Sequence, residues 1–382
     1  MKHGWEYKKL GEICQIVTGS TPKTSVQEYW GGKYPWVTPA ELKGDVFIDD
    51  TERHITDEAV AHTNVTLLPI GTVLLSSRAP IGKVAITTRE MYCNQGFKNL
   101  ICSDTIFNKY LYFWLKGKTD YLNSLGRGAT FKEISKSIVE NIQIPLPPIQ
   151  SQQYIVSELD KINELICLKK EQLKDYDNLA QSIFYEMFGD PVVNEKGWEV
   201  KKLGEVCTYP NKRISLSDIT SYEYVGVETL VKNKGGVLFT EELPNAKNAI
   251  EYIENDILIG NIRPYLKKIW KSDRHGGASG DVVIIRISDT MKGLLTPVYL
   301  FKLLSTDEFF EYDNANTHGA KMPRGDRKAI GEFTIQIPPM HLQHIFAQRI
   351  ELIERQKAEI QSTIADLETL LASRMQYWFF GF

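Results

Sequence analysis

Residues 4–12 read GWEYKKLGE, and residues 197–205 read GWEVKKLGE. Nine residues so nearly the same, 193 positions apart, confine the chain to folds in which one unit is built twice. The match runs on, with Ile13-Cys14 answered by Val206-Cys207. LLSSRAPIGKVAI at 74–86 corresponds to LIGNIRPYLKKIW at 258–270; these apolar, strand-like runs are broken by Arg78 and Pro80 in one and by Arg263 and Pro264 in the other. GRGATF at 126–131 answers THGAKM at 317–322 through Gly128-Ala129 and Gly319-Ala320. The proline pair 147–148 of IQIPLPPIQSQQYI matches the pair 338–339 of FTIQIPPMHLQHIF, and Phe188-Gly189 is echoed by Phe380-Gly381. Four of these landmarks recur in one order at offsets of 191 to 193 residues, and they define a tandem repeat.

Each repeat has two parts. Residues 1–150 and 190–340 mix short β-rich runs with turn signals such as VTGSTPKT, EYWGGKYPW, HGGASGD and MPRGDRK. They predict two mostly-β domains with a few helices, among them KYLYFWLKG at 109–117 and TPVYLFKLLS at 296–305. Each domain closes on its proline-rich segment, and a long helix follows, over 151–189 and 341–382. In the first helix Ile155, Leu159, Ile162, Ile166, Lys169, Leu173, Tyr176, Ala180, Ile183 and Met187 keep heptad spacing. In the second the same spacing links Phe346, Ile350, Ile353, Lys357, Ile360, Ile364, Leu367 and Leu371. Glu, Lys, Asp and Gln fill the positions between, as the solvent side of a coiled coil requires. No Gly or Pro interrupts 151–188 or 341–380. At ~1.5 Å per residue each rod spans on the order of 57 Å, more than one small domain covers, so the helices are expected to pack on each other.

The fold class expected is α+β, with two mostly-β globular domains joined by long helices that form an antiparallel coiled coil with internal pseudo-two-fold symmetry. Such a pairing sets the two domains at opposite ends of the rod, and one chain imitates a symmetric dimer. Duplex DNA has a matching dyad, which dimeric readers exploit with half-sites about 34 Å apart.

Composition bears on this reading without deciding it. The net charge is -3, from 45 basic and 48 acidic residues, which counts against a free-standing nonspecific nucleic-acid binder. It allows a sequence reader whose cations gather on one face. No apolar run is long enough for a membrane span, and MKHGWEYKKLGE lacks the apolar core of a signal peptide. Cysteines 14, 93, 102, 167 and 207 are scattered, which fits a reducing cytoplasm and shows no disulfide framework.

Catalytic machinery is not expected. The sequence holds no phosphate-binding G-x-x-x-x-G-K-[ST] loop, no G-x-G-x-x-G after a strand and no adenine methyltransferase tetrad of the Asn-Pro-Pro-Tyr type. Glu41-Leu42-Lys43 resembles the end of a nuclease carboxylate–lysine motif, but only Glu6, Glu12 and Glu28 precede it to share a metal, so it reads as a turn after Trp36-Val37. His341 and His344 have a spacing that metals use, yet no cysteine cluster completes a site, and polar residues are ordinary where a helix begins. Trp30, Trp36 and Trp114 are expected in the core.

Over essentially its full length the chain resembles the specificity subunit of type I restriction–modification systems. GWEYKKLGEICQIVTGSTPKT (4–24), YWGGKYPWVTPAELKG (29–44), LLSSRAPIGKVAI (74–86), NQGFKNL (94–100) and IPLPPIQSQQYIVSELDKI (144–162) carry the resemblance, with their second-repeat counterparts. It implies two target recognition domains, each reading one half of a split, asymmetric DNA sequence, and helices that act as a ruler for the unread gap. It implies that the helices dock two modification subunits, which methylate adenine with S-adenosylmethionine. Restriction subunits with ATP-driven translocation and nuclease activity would join them, so S-adenosylmethionine, ATP and Mg belong to the partners and no cofactor to this chain. The second domain departs from the pattern: GSTPKT has no clear partner in YPNKRISLSD, and NQGFKNL is answered only loosely by GASGDVVII at 277–285.

Arg and Lys in Gly/Pro-rich loops are the first candidates for DNA contact, because Arg matches guanine O6 and N7 and Lys neutralises phosphate. The first domain offers Ser20, Thr21, Lys23, Arg78, Lys83, Arg127 and Lys132. The second offers Arg263, Lys267, Lys268, Lys321, Arg324 and Arg327, three of them in the basic stretch KMPRGDRK at 321–328. Arg78 and Arg263 stand out because each precedes a proline after an apolar strand, a recurrence that a structural salt bridge also explains. The rival reading is a non-catalytic protein–protein scaffold with two duplicated modules on a rod. It accounts for the duplication and the modest charge, but poorly for basic loops in both modules.

Overall fold

The computed structural model describes residues 5–127, 132–319 and 321–380. Gly128-Ala129, Ala320 and Gly381 of the repeat landmarks lie outside the described residues. The chain divides into two compact units, Met1–Lys170 with Ser362–Phe382, and Glu171–Gln361. The division cuts both long helices, so each unit owns a segment of each.

In the first unit the repeated opening motif and the proline-rich motif are strand partners. Glu6–Lys9 runs antiparallel to Gln143–Leu146, with Glu6 opposite Leu146 and Lys9 opposite Gln143. Leu10 N then donates to Ile142 O at 2.9 Å. Between the two strands of this clasp lie a five-stranded sheet, ordered Cys14–Thr18, Lys98–Cys102, Val73–Leu75, Val84–Thr87, Phe47–Ile48, and a three-stranded sheet centred on Trp30–Val37. Val73–Leu75 and Val84–Thr87 are buried throughout, which is why they read as unbroken runs of small and aliphatic residues. Helix Asn108–Lys116 buries Tyr110 to Leu115, and Tyr110 Oη donates to Pro145 O at 2.7 Å, pinning the helix to the clasp.

The second unit repeats the scheme. Glu199–Lys202 pairs antiparallel with Thr334–Ile337, and Leu203 N donates to Phe333 O at 2.8 Å. The clasp encloses two four-stranded sheets. Helix Pro297–Leu304 takes the place of Asn108–Lys116, its Tyr299 Oη donating to Gln336 O at 3.1 Å. Both units are mixed α+β rather than mostly β. The short helices add buried apolar side chains, Leu122 from Thr119–Leu125 and Phe309 and Phe310 from Asp307–Ala315, and Asp307–Ala315 starts on a Thr306 hydroxyl that accepts from Phe309 N.

Long helices Ile149–Phe188 and Met340–Met375 link the domains. One buried glutamine near the start of each anchors it. Gln152 Oε1 accepts from Phe107 N at 2.8 Å while Nε2 donates to Thr105 O and Pro147 O. Gln343 Oε1 likewise accepts from Thr296 N at 2.8 Å while Nε2 donates to Leu294 O and Pro338 O. In the first unit Glu158 bonds Arg374 Nε and Trp378 Nε1, and Lys170 meets Glu368 at 2.8 Å. In the second, Lys357 meets Asp177 at 2.7 Å. Ile155, Leu159, Ile162, Ile166, Phe346, Ile350, Ile353, Ile360, Ile364 and Leu371 are buried, and Leu173 and Leu367 half-buried. Toward the end of the first helix the buried line moves to Ala180, Phe184 and Phe188, leaving Ile183 and Met187 half-buried. Phe188 packs there on Tyr299 and Phe346 at centroid distances of 4.8 and 5.1 Å.

Candidate nucleic-acid interface

In the first unit a tight turn, Asn94-Gln95-Gly96, follows strand Tyr92–Cys93. Asn94 N donates to Val37 O at 3.0 Å, Gly96 N to Asn94 Oδ1 at 2.9 Å and Ser77 N to Gly96 O at 2.7 Å. On one side Ser20 N donates to Cys93 O at 2.9 Å, and Trp36 Nε1 donates to Ser20 O at 3.0 Å. That brings Thr21 Oγ1 to Gln95 Oε1. On the other side Ile134 N donates to Ser77 O, and Arg78 and Arg127 both bridge to Glu133 through the backbone. Arg78 Nε also reaches Glu133 Oε2 at 3.0 Å, and the buried Lys98 reaches Oε1 at 3.1 Å. Burial pushes the Glu133 carboxyl up, but the hydrogen bonds and charges of Lys98 and Arg78 outweigh it and hold it below the ordinary range.

One run of contacts thus joins Thr21, Gln95, Ser77, Arg78 and Arg127, with exposed Lys132 beside Glu133 in the chain. Lys23 is exposed, and its carbonyl accepts from Trp30 Nε1 at 3.3 Å. Lys83 is less available, since its ammonium donates to Pro39 O at 3.0 Å from a half-buried position.

The second unit builds the same frame. Ser279 N donates to Val225 O at 2.9 Å, Asp281 N to Ser279 Oγ at 3.3 Å and Asn261 N to Asp281 O at 2.9 Å. Ile262 and His318 share Arg324 as Arg78 and Arg127 share Glu133. By these bonds Ser77 corresponds to Asn261 and Arg78 to Ile262, so Arg263 corresponds to Ala79. The two arginines that the sequence sets side by side are therefore one residue out of step, because only the prolines align. Arg263 has a left-handed backbone, φ 54°, and its N–H donates to Pro323 O at 2.8 Å.

Arg324 reaches Asp281 at 3.0 Å and Arg327 donates to Gly280 O at 3.1 Å, so Arg263, Arg324 and Arg327 gather at one rim, with exposed Lys321 nearby in the chain. Lys267 is engaged elsewhere: with Lys234 it holds Asp307, at 2.9 and 2.7 Å. Lys234 and then Lys267 keep that carboxyl below the ordinary range. Lys268 donates to Val227 O, and burial pulls its pKa down.

Glu41 is structural. Its Oε2 accepts from Thr38 N and Oγ1 at 2.7 and 2.8 Å, and its Oε1 accepts from Glu52 N at 2.8 Å. Trp36 and Trp114 are buried, whereas Trp30 is half-buried with the Arg53 guanidinium 3.6 Å over its ring. His341 and His344 are exposed, and no group of three or more His, Cys, Asp or Glu side chains is placed to hold a metal ion among the described residues. The rims combine fixed turns with exposed guanidinium, ammonium, hydroxyl and amide groups, the donor set that meets phosphates and base edges. Gln95 and Lys98 were visible in the sequence only as part of NQGFKNL, and Gln152 and Gln343 only as polar residues at a helix start.

Two copies of one α+β unit, each with cations gathered beside the same turn, make this a duplicated binding protein. The chain belongs to the family described as the type I restriction modification DNA specificity domain, which it matches over residues 2–175 and again over 195–369. It is 39% identical over 221 residues to the specificity subunit of the type I restriction enzyme MjaIX of Methanocaldococcus jannaschii, covering 53% of this chain and 51% of that one. It is 33% identical over 192 residues to the EcoR124I/EcoR124II specificity subunit of Escherichia coli, covering 48% and 47%. The chain thus spans about half the length of these curated relatives. Its fold is similar to the crystal structure of the type I system S subunit from M. genitalium, at a TM-score of 0.52, 14% identity and coverage of 98% and 96%. A chain from a structural study of type I assembly gives a TM-score of 0.55 at 18% identity, with coverage of 98% and 97%. No helix among the described residues is long and apolar enough to cross a membrane.

Proposed function

We propose that the chain reads a bipartite, asymmetric duplex DNA target, one half-site per unit, and directs adenine methylation and restriction by partner subunits. The observation that carries this is the shared turn frame with its basic rim: both units hold the same backbone bonds but set different side chains around them. A constant frame with variable chemistry is what two unlike half-sites need. The long helices act as an antiparallel coiled coil with a pseudo-two-fold relation between the units, and the ion pairs Glu158–Arg374, Lys170–Glu368 and Asp177–Lys357, whose sequence separations shrink along the first helix, support that direction. Two modification subunits dock on the helices and bring S-adenosylmethionine, and restriction subunits bring ATP and Mg. No reaction is assigned to this chain.

Methylation mapping by single-molecule sequencing, in cells that express the chain with its cognate modification subunit, tests the reading. A split adenine-methylated motif that disappears without this chain is the expected result. An assembled complex that leaves no motif and binds no duplex favours the protein–protein scaffold.

A further inference from the structure

At the turn tip the two units share three anchoring hydrogen bonds and differ completely in side chain. Asn94-Gln95-Gly96 and Ser279-Gly280-Asp281 are held by the same three hydrogen bonds: to Val37 O or Val225 O, across the turn to Asn94 Oδ1 or Ser279 Oγ, and from Ser77 N or Asn261 N. At the tip the first unit has the exposed carboxamide of Gln95, and the second has Gly280, with open space where a side chain would stand and the Arg327 guanidinium on its carbonyl. The residues on either side of Gln95 are half-buried or buried and locked, so the amide stands on a rigid base. Thr21 Oγ1 donates to Oε1, which orients the group and leaves Nε2 and the second Oε1 lone pair without a partner among the described residues.

We infer that Gln95 is a specificity-determining residue that reads one adenine of the first unit's half-site in the major groove. This rests on the DNA-recognition reading above. The unused pair of atoms is the pattern that adenine presents a partner for: Nε2 donates to N7 while Oε1 accepts from N6. Thr21 positions the amide, and Arg78, Arg127 and Lys132 lie on the flanks where backbone phosphates are met. The corresponding tip in the second unit has no side chain, and the Arg327 guanidinium lies on its carbonyl instead.

The experiment compares the methylated motif of the full complex carrying the wild-type chain, Gln95→Ala or Gln95→Glu. Gln95→Ala is expected to relax one A·T position in one half-site by 10-fold or more and to leave the other half-site unchanged. Gln95→Glu, which can only accept, is expected to move the same position toward cytosine. If wild type yields a motif and both variants keep it, the inference fails while DNA recognition stands; if wild type yields no motif and its assembled complex binds no duplex, the recognition reading itself fails. Should Gln95→Ala abolish methylation, binding of the purified complex to duplexes with each base at each position decides. Weakening confined to the duplex with the native adenine supports the assignment, and equal weakening on all duplexes overturns it.

Discussion

Asp313 is 1% exposed on helix Asp307–Ala315, and neither of its carboxylate oxygens has a hydrogen-bond partner among the described residues. Gly325 leaves the room for it, since a β-carbon there would fall 2.6 Å from Asp313 Oδ1 and 2.9 Å from Asn261 Oδ1. Burial pushes this carboxyl up from 3.8 to about 6. Between about pH 4 and pH 6 the folded chain therefore holds a proton that the unfolded chain has lost. Stability falls as pH rises through that window and levels off above it, by about 3 kcal/mol in all. Asp313→Asn is expected to remove this slope, read as the difference between variant and wild-type thermal unfolding at pH 4 to 7. An unchanged difference across that range overturns the assignment. Gln152 makes the complementary case. It is fully buried with three hydrogen bonds to backbone groups, so Gln152→Leu, which strands Phe107 N and two carbonyls, is expected to cost about 3 kcal/mol in urea unfolding. Neither role is legible in the sequence: an Asp in an amphipathic helix and a Gln at a helix start both read as solvent-facing until the fold closes over them.

Among the elements, the long helices were the most legible and also show where periodicity stops informing. Heptad spacing from Ile155 to Ile166 and from Phe346 to Leu371 coincides with buried or half-buried residues, because apolar spacing near the helical period fixes a face whatever the partner. The strict seam drifts on a long helix. An α-helix falls behind a seven-residue repeat by about 20° per heptad, so four heptads beyond Ile155 the buried face has moved by nearly one residue. That shift turns Phe184 and Phe188 inward and leaves Ile183 and Met187 at the margin. Phe184 also stacks 5.8 Å from Tyr299, on a helix whose position no pattern in the first helix encodes. Phe184→Ala is therefore expected to cost about 3–5 kcal/mol in denaturant unfolding and Ile183→Ala less than half of that. The reverse order would restore the heptad line. Strand content was overread for a related reason: short helices such as Thr119–Leu125 carry too few turns to show a period.

For the whole molecule the duplication itself suggests the sharpest test. Each repeat opens and closes on one pair of strands, and the ends of the enclosed segment meet across it, Lys9 opposite Gln143 in one unit and Lys202 opposite Thr334 in the other. Residues 10–142 can thus be replaced by residues 203–333 without moving either clasp strand. The incoming segment brings the same anchors, since Gln343 takes Thr296 N as Gln152 takes Phe107 N, and Tyr299 serves as Tyr110 does. Such a chain carries the second recognition unit twice. If the long helices pair antiparallel about a pseudo-two-fold axis, its methylated motif must be an inverted repeat of the second half-site, since a two-fold axis relates the strands of the duplex as it relates the units. A direct repeat would mean that the units face the duplex in the same sense and would exclude the two-fold arrangement. A motif that kept the first half-site would place base recognition outside the exchanged segment, in the clasp or the helices, and so remove the turn rim from the function proposed for it.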